Sequence, residues 1–171
     1  TRVASRWHRW KIGWIAMLAM PGLLLAQPNP PPATQSSQAA AFDEVLQRIV
    51  GPASLSATGT AYDADLERLR TTLPAGDQAR EARFRSVYCG SSTWRDPVQA
   101  LAYSDDALAR ARDLSDTASE ARALLCRAEY VMLTSGTQRG LPEVDKAVDL
   151  LANGHESQLL AESLETRGDI L

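Results

Sequence analysis

Ala100-Leu-Ala-Tyr-Ser104-Asp-Asp-Ala107-Leu108-Ala-Arg-Ala111 sets three alanines at i, i+7 and i+11, a single stripe down a helix of 3.6 residues per turn. Forty residues on, Asp145-Lys-Ala147-Val148 echoes Asp105-Asp-Ala107-Leu108. Arg127-Ala128-Glu129-Tyr130 and Arg167-Gly168-Asp169-Ile170 stand at the same interval, as do Ala121 and Ala161, and Leu124 and Leu164. Phe84 lies 40 residues before Leu124. Small side chains at fixed helical positions let two backbones pack closely, and the leucines fill the space between. A bulky residue at Ala107 is expected to push such a pair apart, at a cost of about 1–3 kcal/mol.

Working outward, no strand-like alternation persists after Ala39, and apolar residues recur at helical spacing. The pattern predicts helices over 39–50, 61–73, 78–92, 97–114, 117–134, 142–153 and 156–171. Gly51-Pro52, Pro74-Ala75-Gly76, Ser135-Gly136 and Asn153-Gly154 act as stops, and Asp96-Pro97 offers an N-cap followed by a first-turn proline. Composition agrees. The 171 residues include 27 Ala and 22 Leu against 6% aromatics, which favours helices over sheets. A hydrophobic fraction of 44% is enough for a core, and the length suits one domain.

Residues 1–26 carry Arg2, Arg6, Arg9 and Lys11 and no acid, followed by the apolar run from Ile12 to Leu25 and then Ala26. This order is that of a secretory signal peptide, expected to be cleaved after Ala26. Fourteen apolar residues are short for a bilayer span, which takes about 20. Residues 27–38, with four prolines between Pro28 and Pro32, predict an extended spacer. Beyond residue 26, 14 Lys and Arg face 21 Asp and Glu, a balance of −7, which argues against nucleic acid as a partner. The expected location is therefore exported and periplasmic. The only expected link to a membrane is the export signal or a downstream helix. Because the chain starts at Thr1 and stops at Leu171 inside an expected helix, it reads as a fragment.

The stripe from Ala100 to Leu108 resembles the second helix of a tetratricopeptide repeat. Leu124-x-x-Arg127-Ala128 and Leu164-x-x-Arg167-Gly168 resemble the first helix. The resemblance implies an all-α, right-handed solenoid of stacked antiparallel helical hairpins. Residues 39–76 would form a degenerate capping hairpin and 77–171 the repeats, with a period of about 40 where the family has 34. Departures are Leu where the first helix begins with a large aromatic, Gly140 in place of the first alanine of the second copy, and no closing proline. Such arrays bind proteins or peptides on the concave side. With Glu81, Ala121 and Ala161 as first positions, the resemblance implies that Arg85, Arg122, Glu129, Glu165 and Asp169 face the groove. The plainer reading of each is a solvated helix face. The order of signal, spacer and variant repeats also resembles the periplasmic sensory regions of bacterial GGDEF diguanylate cyclases. A free periplasmic adaptor is the alternative.

Nothing favours catalysis, a cofactor or a metal site in this chain. His155 is the sole histidine after residue 26, and there is no Gly-rich phosphate loop and no nucleophile elbow. Asp105 and Asp106 are adjacent helical positions pointing about 100° apart, a poor acid pair. Cys89 and Cys126 are the two cysteines. In the repeat register they lie three positions apart on neighbouring first helices, which allows a disulfide in an oxidising compartment. Two small buried thiols are the alternative.

Overall fold

The computed structural model describes residues 32–51 and 59–171, all of the regular structure among them being helical. The helices are α1 (Pro32–Val50), α2 (Gly59–Thr72), α3 (Gln78–Ser92), α4 (Pro97–Leu114), α5 (Thr117–Ser135), α6 (Leu141–Leu151) and α7 (Ser157–Ile170), with a 3-10 turn at Thr137–Gly140. The expected signal segment, residues 27–31 of the expected spacer and the Gly51-Pro52 stop beyond Gly51 lie outside the described residues. No helix among the described residues is long and apolar enough to cross a membrane.

Local chemistry sets the boundaries. Asp77, Asp96 and Asp116 cap α3, α4 and α5, each accepting a backbone N–H from three residues on at 3.0–3.1 Å. α4 ends on Ser115 in the left-handed region, φ 55°, and α5 ends on Gly136 at φ 106°. One expectation needs correcting. Residues 32–38 belong to α1 and are not an extended spacer. Pro32 opens the helix, where its missing N–H loses no bond, and Ala33-Thr-Gln-Ser-Ser-Gln-Ala39 carries no breaker.

Consecutive helices fold back on one another. In α3 and α4, Glu81 reaches Arg110, Arg85 reaches Asp106 and Tyr88 meets Tyr103. These pairs run in opposite directions along the two helices, so α3 and α4 are antiparallel. Arg112–Glu120 and Asp105–Arg127 fix the same sense for α4 and α5. α3 and α5 touch directly and run parallel: Arg83 pairs with Asp116 near one end, and Thr93 meets Cys126 near the other.

The alanine stripe is the seam. Ala100, Ala107 and Ala111 have no exposed surface, and the buried Ser104 hydroxyl donates to the Ala123 carbonyl at 2.9 Å. The corresponding residues of the α6 segment, Gly140, Val144, Ala147 and Leu151, are buried as well. At Gly140 a Cβ would stand 2.5 Å from Met132 Cγ and 3.0 Å from the Ala128 carbonyl oxygen, so only glycine fits without movement. A separate apolar cluster of Phe42, Val45, Ile49, Leu66, Leu69, Phe84 and Val87 joins α1 and α2 to α3. Leu164 departs from its counterpart, being 47% exposed where Leu124 is 2%.

Candidate functional site

A groove of about 650 Å³ opens along α1, α3, α5 and α7, with Tyr62 of α2 at one end. Its α3 and α5 walls present Arg83, Ser86 and Gly90, and Ser119, Arg122, Cys126 and Glu129, spaced by three or four residues so that each helix offers one face. The floor is small. A Cβ at Gly90 would meet nothing within 4 Å, which leaves room for a close approach by another backbone.

Cys126 lines this groove and is joined to Cys89 by a disulfide, with 6.1 Å between the two Cα atoms. The bond ties α3 to α5, the two parallel helices at the centre of the groove. The Thr93 hydroxyl lies against Cys126 and donates to the Cys89 carbonyl at 3.2 Å.

The electrostatics of the groove are mixed. Arg83 is held by Asp116 at 3.1 Å. Burial opposes ionisation of Asp116, but the Ser119 hydrogen bonds and the Arg83 pair outweigh it, so the carboxyl titrates below the usual range. Arg122 is half-buried and makes no ion pair among the described residues. Burial pushes its guanidinium below the ordinary arginine value, against the pull of Glu156, Glu162 and Asp116. Glu129 moves upward: burial is the main cause, Glu162 adds to it, and the Thr93 hydroxyl works against it. Tyr62 is raised by burial and by the charges of Glu162, Asp63 and Glu129.

Of the five residues assigned to a groove from sequence, Arg122 and Glu129 line it. Arg85 does not. It turns toward α4, bonding Glu81 at 2.7 Å and Asp106 at 2.9 Å and lying 5.6 Å from the Tyr103 ring centre. The cause is a slip of one residue. Ala82, Phe84, Ser86, Val87 and Cys89 are buried, and so are Ala121, Ala123, Leu125, Cys126 and Ala128, each pair 39 apart. An interval of 40 therefore misplaces α3 by one position, a rotation of about 100°. Arg83, 39 residues before Arg122, lines the groove as Arg122 does. Glu165 and Asp169 are exposed on α7 away from the groove, to which α7 contributes Glu162. Arg83, Ser86, Gly90 and Tyr62 were missed. Matching buried positions, rather than residue identities, is the signal that finds the first three.

Among the described residues, no group of three or more His, Cys, Asp or Glu is arranged to hold a metal ion. Asp105 and Asp106 point apart, to Arg127 and to Arg85 and Arg110 respectively. Comparison with protein families, with curated proteins and with solved structures finds no match to this chain.

Proposed function

We propose that this chain is an exported, tetratricopeptide-like interaction module that binds an extended peptide or protein segment in the groove between α1, α3, α5 and α7. The observation that carries it is the groove itself: open, about 650 Å³, and lined by small residues such as Gly90 and Ser86 among charged side chains. Pockets of this size hold ligands of a few residues. The repeat reading draws support from helix spacing, since α3, α5 and α7 begin at residues 78, 117 and 157. It draws further support from the matching burial of Ala100, Ser104, Ala107 and Ala111 with Gly140, Val144, Ala147 and Leu151. A right-handed stack of these hairpins would align first helices on the concave side.

Export rests on the leader-like order of residues 1–26. A sensory role ahead of a diguanylate cyclase output domain rests on the sequence resemblance alone, with a free envelope adaptor as the competing assignment. Gly90→Trp tests the groove. It projects into open space, so the variant is expected to keep its helical circular dichroism and melting temperature while losing peptides selected against the parent from a random display library. Retained binding would remove the groove from the proposal.

A further inference from the structure

Ion pairing is the rule for half-buried arginines in this protein. Arg48, Arg80, Arg85, Arg110 and Arg127 each hold a carboxylate. Among the described half-buried arginines, Arg122 is the exception, and it lines the groove. Seven residues along the same face of α5 stands Glu129, also half-buried, which has the Thr93 hydroxyl as a hydrogen-bond partner but no ion pair among the described residues. Two helical turns separate the two by about 10 Å along the axis, and no pair forms across that span. Glu162 of α7 and Tyr62 of α2 line the same groove. A half-buried charge without a partner is costly, and a carboxylate can bind a guanidinium through two parallel hydrogen bonds.

We propose that the groove selects segments carrying an acidic and a basic side chain about 10 Å apart, the acid on Arg122 and the base on Glu129. The proposal rests on the groove being the binding surface. A ligand with one charge satisfies one end and leaves the other without an ion pair. An extended chain advances roughly 3.3–3.6 Å per residue, so about three residues separate the two charges. Gly90 gives the backbone of the segment room to lie against α3.

The test uses fluorescein-labelled octapeptides of Gly, Ala and Ser bearing Lys and Asp two, three or four positions apart, in both orders. Lys-only, Asp-only and uncharged peptides are the controls. Anisotropy titrations use the 171-residue chain and its Arg122→Gln, Glu129→Gln and Gly90→Trp variants, with melting curves to establish that each is folded. The best mixed peptide is expected to bind at least fivefold tighter than any control. Arg122→Gln should remove the advantage of Asp and Glu129→Gln the advantage of Lys. Equal binding of mixed and control peptides, lost in Gly90→Trp, overturns the charge selection and leaves the groove standing. Binding that depends on one charge alone overturns it too. No binding by any peptide, or binding indifferent to Gly90→Trp, overturns both.

Discussion

Single side chains give the sharpest contrasts. Gly140 has the Ala128 carbonyl and Met132 against it, whereas Gly90 and Gly168 face open space. Gly140→Ala should lower stability by about 1–3 kcal/mol through overpacking. Gly90→Ala and Gly168→Ala should each raise it by about 0.5–1 kcal/mol, as expected for helical glycines; urea melts of the three variants separate the cases. Glu129 gives a pH signature. Its carboxyl titrates above the usual value in the folded protein, so the folded state favours its protonated form and loses stability as pH rises through that interval. Glu129→Gln should therefore raise the melting temperature at pH 7 and bring no gain at pH 3. The sequence names Arg122 and Glu129, which stand seven residues apart on the groove-lining face of α5. It misplaces Arg85 because neighbouring charged residues look alike on paper, while burial tells them apart.

At the level of the helix, the capping aspartates matter most. Asp77→Ala, Asp96→Ala and Asp116→Ala should each cost about 1 kcal/mol, measured by denaturant unfolding. Asp77 and Asp116 titrate below the ordinary 3.8. At both sites burial opposes ionisation, and hydrogen bonds and an arginine overcome it. Their contribution is thus complete above the unfolded value and fades as pH falls through the folded one. The sequence marks these helix starts well because a cap is local: an aspartate and the N–H three residues on suffice. The start of α1 misled for a local reason too, since Pro32 reads as the last residue of a proline run and also serves as the first residue of a helix. The seam between helices depends on partners far along the chain. Ala107→Arg should abolish the cooperative melt, while Arg85→Ala, which removes two partly exposed ion pairs and a ring contact, should cost about 1 kcal/mol. Equal losses in the two would mean that the alanine stripe is not the packing seam.

Across the whole molecule, the Cys89–Cys126 bridge closes 37 residues, a loop worth about 3–4 kcal/mol by chain entropy. Reduction, or Cys89→Ala with Cys126→Ala, should lower the melting temperature by roughly 10 °C and leave the helical content largely intact. Sequence shows that such a bridge is geometrically reasonable. It does not choose between a bridge and two buried thiols, because that depends on how far apart α3 and α5 settle. The closed loop contains all of α4. When the oxidised protein is stretched from its two ends, tension passes from α3 into α5 through the sulfur atoms, and Pro97–Leu114 carries no load. Optical-tweezer extension of the oxidised chain should therefore fall short of the reduced one by about 130 Å of contour.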